Sequence, residues 1–148
     1  MRKIFVCLLV VLMSLSLPMQ ADNNVPIKFN QLPKTAQQLI QKYFKNEKVV
    51  MVIKEKDWLD VSYAVQFQSG SKIEFAKDGT WKELSTRGKS LPLSLIPSGI
   101  KTFVKTHYPE AKIINIEKDD RNEYEVKLSN RNEIKFDKNY NVIDMDID

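Results

Sequence analysis

The sequence predicts an α+β fold made of two tandem repeats, each with one helix followed by four antiparallel strands. The first observation is a duplication: the apolar pattern after Leu32-Pro33 recurs after Ile96-Pro97, at an offset of 64 residues at first and 61 later. The second is that each copy changes from helical periodicity to strict alternation. Because a helix with one apolar stripe and a sheet with one apolar face can bury each other, we expect one eight-stranded sheet with both helices on one face.

Residues 1–21 predict a cleavable secretory signal peptide. Two basic residues precede the apolar run 4–12, and Ala21 is a small residue at a plausible cleavage point. The alternative, an uncleaved anchor, is disfavoured because the run is shorter than the roughly 20 residues that a membrane span needs. Cys7 lies inside this run, so the exported chain would lack cysteine and depend on core packing. The predicted location is periplasmic or secreted.

An N-terminal extension (22–31) precedes the first repeat (32–86), and a linker (87–95) leads to the second repeat (96–148). The second residue of each repeat is a proline, Pro33 or Pro97, which suits the first position of a helix because its missing N–H is not needed there. Apolar residues then recur at helical spacing on one stripe. These residues are Ala36, Leu39, Ile40, Tyr43 and Phe44 in the first helix, and Ile100, Phe103, Val104, His107 and Tyr108 in the second.

Alternating apolar residues predict the strands that follow each helix. They include Val61, Tyr63, Val65, Phe67, Ile73 and Phe75 in the first repeat, and Tyr124, Val126, Leu128, Ile134 and Phe136 in the second. Asp78-Gly79 is a strong hairpin signal, whereas its counterpart Asn139-Tyr140 keeps a residue that tolerates positive φ but lacks glycine. The opposite face of the sheet would carry mixed charges, suited to water or to a protein partner. Its expected residues are Ser62, Gln66, Lys72, Glu74, Glu125, Lys127, Glu133 and Lys135.

Several of these segments resemble the β-lactamase-inhibitor-like, PepSY-like family of exported bacterial proteins. The matching runs are Tyr63-Ala64-Val65, Ile73-Glu74-Phe75 and 78–83 in the first repeat, and 108–113, 124–130 and 133–137 in the second. The resemblance covers essentially the whole exported chain. It implies the tandem helix-plus-four-strand fold of a secreted β-lactamase inhibitor and of the PepSY module, but not that this chain inhibits an enzyme. Arg131 and Tyr140 stand where the family pattern has turn glycines.

The residue inventory argues against catalysis, metal binding and a cofactor. The only histidine, His107, lies on the apolar stripe in the place of Tyr43, which favours a packed helix residue over a catalytic base. No glycine-rich phosphate loop is present among the four glycines, and no set of metal ligands converges. We therefore predict a non-enzymatic protein with no catalytic residue, no metal and no cofactor.

The charge pattern argues against nucleic acid as a partner. The formal charge of +4 falls to +2 without the signal peptide, and lysines alternate with acidic residues in 54–57. Nucleic-acid binding requires a clustered basic face instead. No apolar stretch after the signal peptide is long enough to cross a bilayer.

Asp144, Asp146 and Asp148 alternate with Met145 and Ile147 at the C-terminus. One interpretation is a calcium site, because calcium prefers oxygen ligands. The pattern lacks the loop glycine and the downstream glutamate of a calcium hand. A terminal strand with the apolar side chains facing inward is the favoured interpretation.

Asp57, Trp58 and Asp60 are the candidate partner-binding residues. They lie between two predicted strands, and the matching stretch of the second repeat has no aromatic residue. A tryptophan beside charges is a typical anchor of protein interfaces. The alternative is that Trp58 folds back onto the helix or the strand edge. Trp81 is expected in core or sheet-face packing.

The leading functional hypothesis is an exported, non-enzymatic protein-binding module that inhibits or modulates an envelope or secreted enzyme. Its expected partner is another envelope or secreted protein. The alternative is a periplasmic protein that binds a small molecule or a cation, and it predicts a pocket lined by Tyr63 and Tyr124.

Overall fold

The computed structural model describes residues 23–148, so the predicted signal peptide and Cys7 lie outside the described residues. Two helices and nine strands follow one another within residues 23–148. The helices are α1 (Lys34–Tyr43) and α2 (Ser98–His107), and each is preceded by a short 3-10 helix, at Phe29–Gln31 and Leu93–Leu95. The strands are β1 (Asn23–Pro26), β2 (Val49–Lys56), β3 (Val61–Phe67), β4 (Lys72–Ala76), β5 (Trp81–Ser85), β6 (Ile113–Lys118), β7 (Tyr124–Leu128), β8 (Glu133–Phe136) and β9 (Val142–Asp146).

All nine strands form one antiparallel sheet, and each strand pairs with its neighbours in sequence. The expected number of eight strands is wrong because β1, in the N-terminal extension, adds a strand outside β2. All four residues of β1 are exposed. A strand that buries neither face leaves no apolar alternation in its sequence, which is why the pattern did not reveal it.

The two halves of the sheet join where β5 pairs with β6, with Leu84 opposite Ile116. The residues after β5 continue this junction. The N–H of Thr86, at the end of the first repeat, donates to the carbonyl of Ile114 over 2.8 Å, and the N–H of Leu91, in the linker, donates to the carbonyl of Ile113 over 2.9 Å. The sheet is therefore continuous across both halves of the chain.

A row of aliphatic side chains crosses one face of the sheet in register. It consists of Val52, Val65, Ile73, Leu84, Ile116, Val126 and Ile134. All seven are buried, and they belong to one core cluster with Ala36 and Ile40 of α1 and Ile100 and Val104 of α2. Burial of each large aliphatic side chain is worth about 1.5–3 kcal/mol. This core stabilises a fold whose described part contains no cysteine.

The turns of the second half keep the backbone of the first half without its glycines. Gly70 and Gly79 have φ of 89° and 86°, and Arg131 and Tyr140 take φ of 71° and 65°. The residue with positive φ is thus Tyr140 and not its neighbour Asn139. The register of the hairpin determines which position must have positive φ. Asparagine tolerates positive φ better than tyrosine, but this does not shift the conformation to position 139.

Candidate functional site

The β2–β3 turn, residues 57–60, projects two apolar side chains into solvent. Trp58 is 83 % exposed and Leu59 is 91 % exposed. Trp58 therefore does not fold back onto the helix or the strand edge. We call Trp58 and Leu59 the apolar tip.

The two aspartates of this turn hold its backbone. Asp57 Oδ1 accepts a hydrogen bond from the N–H of Trp58 over 2.7 Å, and Asp60 Oδ1 accepts one from the N–H of Val61 over 2.8 Å. The N–H of Asp57 also donates to the carbonyl of Asp60 over 3.0 Å, which closes the turn. Local bonds of this kind favour turns over continued strands. Asp57 and Asp60 thus present the apolar tip by shaping its backbone.

Leu59 was missed by sequence reasoning, although it is the most exposed large apolar residue of the described chain. A single leucine in a turn has no periodicity to mark it. Its position next to Trp58, between Asp57 and Asp60, is the one signal that was available.

Three turns meet beside the apolar tip at one end of the sheet: the β2–β3 turn, the β4–β5 turn (77–80) and the β6–β7 turn (119–122). They surround an open groove with a volume of about 670 Å³. Its charged lining includes Asp60, Lys77, Asp78, Lys82, Lys118 and Asp119. Lys82 Nζ lies 3.8 Å from Asp60 Oδ2. Both signs of charge are therefore presented next to the apolar tip.

Two aspartates around the groove, Asp78 and Asp119, accept hydrogen bonds that hold their turns. Asp78 Oδ1 accepts hydrogen bonds from the N–H of Thr80 over 2.9 Å and from its hydroxyl over 2.7 Å, which lowers the pKa of Asp78. The N–H of Glu123 and then the side chain of Arg121 lower the pKa of Asp119. A general acid at neutral pH needs a raised pKa instead. These two carboxylates stay ionised and stabilise their turns.

The face of the sheet opposite the aliphatic row carries a line of four glutamates on adjacent strands, which we call the glutamate row. Glu74 lies opposite Glu83, Glu83 opposite Glu117, and Glu117 opposite Glu125. Partial burial, and next the carboxylates of Glu83 and Glu125, raise the pKa of Glu117. Like charges directly across strands are destabilising, so this row has no rationale in folding stability alone.

Lysines flank the glutamate row on the same sheet. Lys72 makes an ion pair with Glu74. Lys127 Nζ lies 2.9 Å from Glu133 Oε1, and Lys135 Nζ lies 3.4 Å from Glu123 Oε2. The expected mixed-charge surface is present, with its negative charge concentrated in the glutamate row.

Tyr63 and Tyr124, the rings expected to line the pocket of a small-molecule carrier, do not line the groove beside the apolar tip. Both rings are buried in the core. Lys54 Nζ lies 5.9 Å from the centroid of the Tyr63 ring, and Lys118 Nζ lies 6.0 Å from that of Tyr124. Each lysine covers its ring at the outer limit of a cation–π contact.

His107 differs in part from the expected packed helix residue. It is exposed at the end of α2, although its ring stacks on Phe103 with the centroids 4.2 Å apart. Its Nδ1 lies 3.0 Å from the carbonyl oxygen of Phe103. The helical spacing placed His107 correctly above Phe103, but α2 ends there and leaves the ring in solvent. Trp81, by contrast, is partly buried against the core, as expected.

Across residues 23–148, no three or more His, Cys, Asp or Glu side chains are grouped so that they could hold a metal ion. In the same part of the chain, no buried side-chain nitrogen or oxygen lacks a hydrogen-bond partner. Nor does any helix described there have the length and apolar character to cross a membrane.

A family model described as "Putative beta-lactamase-inhibitor-like, PepSY-like" matches residues 19–60 and 61–144. The crystal structure of a Bacteroides vulgatus protein described as a "putative periplasmic protein" of the DUF2874 family is similar over 85 % of this chain and 98 % of that one, with 49 % identity and a TM-score of 0.82. A Bacteroides thetaiotaomicron protein described as a "putative calcium-regulated periplasmic protein" covers 83 % of this chain and 96 % of its own, with 46 % identity and a TM-score of 0.81.

A second Bacteroides vulgatus protein, described as a "putative periplasmic protein of unknown function", is 33 % identical over 83 % of this chain and 98 % of its own, with a TM-score of 0.79. No curated protein is significantly similar to the chain.

Proposed function

The chain belongs to the β-lactamase-inhibitor-like, PepSY-like family, and on this premise we propose that it is a periplasmic protein-binding module that acts without catalysis. The observation that carries the proposal is the apolar tip, Trp58 and Leu59, presented by a turn that its own aspartates hold. The descriptions of the structural relatives from Bacteroides as "putative" periplasmic proteins support the location. In this proposal a cleaved signal peptide exports the chain.

The helices pack against the sheet that carries the apolar tip, and this packing makes the sheet rigid. The apolar side chains of α1 and α2 share one core cluster with the aliphatic row. In our proposal both helices therefore lie on that face, and the face with the glutamate row is open to solvent. A continuous sheet packed on one side holds its turns in fixed positions, so the apolar tip would bind with little loss of conformational entropy.

The chemistry of the apolar tip suits a protein partner better than a small ligand. A tryptophan buries 150–250 Å² when it is fully covered. Tryptophan is also enriched among the residues whose truncation costs about 2 kcal/mol or more of binding free energy. The neighbouring groove supplies both signs of charge as a polar rim. The partner we propose is an envelope or secreted enzyme, which the bound module inhibits or modulates.

The test places a photo-crosslinking amino acid at position 58 and identifies the crosslinked protein in envelope extract. The binding of that purified protein is then measured for Trp58→Ala/Leu59→Ala and for Leu93→Ala, a control that removes an exposed leucine elsewhere. We expect the double variant to weaken binding at least 30-fold and the control to leave it unchanged. Equal affinities for both variants would exclude the apolar tip. The activity of the captured enzyme with and without the module tests inhibition.

A second candidate function is calcium binding, favoured by the description of one relative as a "putative calcium-regulated periplasmic protein". In this chain a cation held between two neighbouring carboxylates of the glutamate row, rather than by a group of three, would relieve the repulsion between them. A bound cation raises the melting temperature of the folded chain. We would titrate Ca²⁺ and Mg²⁺ against the wild type and against Glu83→Gln/Glu117→Gln. A calcium-specific rise that the double variant loses supports this candidate, and no rise at millimolar Ca²⁺ excludes it.

A further inference from the structure

The last strand, β9, ends the sheet with an open edge. In the part of the chain that the structure describes, β9 pairs with β8 and with no strand beyond it. An edge strand presents unpaired N–H and C=O groups that can accept another strand. The opposite edge, β1, is less suited to this because it has four residues and ends at Pro26, which has no N–H to donate.

The side chains of β9 alternate between carboxylates and apolar groups. Asp144 lies opposite Lys135 and Asp146 opposite Glu133, on the face with the glutamate row, whereas Met145 lies opposite the buried Ile134. The alternation predicted for the C-terminus is therefore present. Its expected burial is wrong, since Met145 is 37 % exposed and Ile147 is 63 % exposed. They stay exposed because no described part of the chain lies beyond β9 to cover them.

One donor of this edge is held by its own neighbour. The N–H of Met145 donates to Asp144 Oδ1 over 2.9 Å. A carboxylate that binds an adjacent N–H in this way occupies a donor that an incoming strand would use. A basic side chain on that strand would attract the carboxylate and release the N–H.

We propose that β9 binds an extended segment of another protein as a tenth strand, and that basic and apolar residues alternate in this segment. Its basic side chains would lie beside Asp144 and Asp146, and its apolar side chains would cover Met145 and Ile147. Backbone hydrogen bonds would supply affinity, and the alternate side chains would supply specificity, as in other cases of strand addition. The inference rests on the proposed protein-binding function and gives it a second surface with a defined peptide chemistry.

A second copy of this chain fits the edge less well. Two β9 strands paired antiparallel about a two-fold axis would bring Asp144 and Asp146 of one copy beside the same carboxylates of the other. Like charges across paired strands are destabilising. The charge of the edge therefore favours a cationic partner over self-association.

The test uses the full exported chain and a fluorescent peptide, Lys-Val-Lys-Val-Lys-Val-Lys, in fluorescence anisotropy at low salt. One control peptide has glutamate in place of lysine. The other keeps the lysines but carries N-methyl groups on the valines, which removes their backbone donors. We expect the first peptide to bind at least tenfold more tightly than either control. Equal binding of the N-methylated peptide would overturn strand addition, because charge attraction alone would then explain the affinity.

Protein variants assign the site. Asp144→Lys/Asp146→Lys is expected to lose affinity for the lysine peptide at least tenfold and to prefer the glutamate peptide. The matched control Glu47→Lys/Glu110→Lys changes the net charge equally at positions outside β9 and outside the groove, and it is expected to keep the wild-type preference. Equal loss in both variants would overturn the assignment to β9. So would sedimentation of the wild type as a dimer that the lysine peptide dissociates, because the occupant would then be a second copy.

The outcome is separable from that of the apolar tip. Trp58→Ala is expected to bind the lysine peptide like the wild type, because Trp58 lies in the β2–β3 turn, far along the sheet order from β9. A failure of strand addition leaves the crosslinking result at position 58 unaffected.

Discussion

Tyr140 lies against Gly99, and the first half of the chain has the reverse arrangement, with the glycine in the turn and the larger residue in the helix. The corresponding residues are Gly79 in the turn and Thr35 in α1. In the β4–β5 turn, Gly79 has positive φ, and a Cβ on it would lie 3.2 Å from the Cβ of Thr35 in α1. In the second half the turn residue is Tyr140, and a Cβ on Gly99 in α2 would lie 2.8 Å from its Cβ. Close approach of turn and helix is thus kept in both halves, with the glycine on opposite partners.

This exchange predicts strong coupling between positions 99 and 140. Gly99→Thr alone is expected to destabilise the fold by about 1–3 kcal/mol, because the new side chain overpacks against Tyr140. Tyr140→Gly removes that obstacle, so the double variant should recover at least about 1 kcal/mol of the loss from the first substitution. The measurement is a double-mutant cycle of the free energy of unfolding in urea. Additive effects of the two substitutions would contradict the exchange.

Arg131→Gly is expected to stabilise the chain by about 0.5–1 kcal/mol. Arg131 has φ of 71°, a conformation that costs a non-glycine residue roughly 1–2 kcal/mol. Glycine removes this cost but also increases the conformational entropy of the unfolded chain, which offsets part of the stabilisation. The lost ion pair with Asp148, at 3.4 Å, is exposed and contributes little. Urea unfolding measures the change. The matched control is Gly70→Ala, which should destabilise because Gly70 has φ of 89° and a Cβ there would meet Arg87.

Glu117→Gln is expected to raise the melting temperature at pH 7 and to have no effect near pH 4. Partial burial and the neighbouring carboxylates raise the pKa of Glu117 above its ordinary value of 4.5. A carboxyl group whose pKa is raised by folding opposes folding when it is ionised, so its penalty is present above the folded pKa and absent below 4.5. Thermal melts over this pH range check the sign. Glu110→Gln, away from the glutamate row, should leave the melting temperature unchanged at both pH values.

The exported chain is expected to begin at Asp22. Cleavage after Ala21 removes the basic pair, the apolar run and Cys7. Intact-mass measurement of the chain from the periplasmic fraction tests this. A mass that includes the first 21 residues would identify an uncleaved anchor instead.

The periodic parts of the fold were predictable, and the isolated parts were not. The alternation through Val65 and Phe67 and the helical stripe through Ile40 gave the α+β class and both helices, because burial on one face imposes a repeat on the sequence. β1 buries no side chain and left no such repeat. The family resemblance, which rests on order and spacing together, is confirmed by the matching family model.

The candidate surfaces were harder to find from sequence. Trp58 was identifiable by its residue type, whereas Leu59 has a common type and no periodic neighbour. The glutamate row was invisible because its members come from four strands whose register only the folded sheet defines. The exposure of Met145 and Ile147 depends on what lies beyond β9, and alternation alone does not report the end of a sheet.

The pairing of β5 with β6 also indicates why the edge of β2 is covered by the short strand β1. Because β5 corresponds to β9 and β6 corresponds to β2 in the duplicated order, the same pairing between molecules would join β9 of one chain to β2 of the next. Such a head-to-tail contact extends into a filament unless its rotation closes a ring. β1 occupies that side of β2 and ends at Pro26. These four residues, which add nothing to the core, thus cover the edge of β2 that such a pairing between molecules would need.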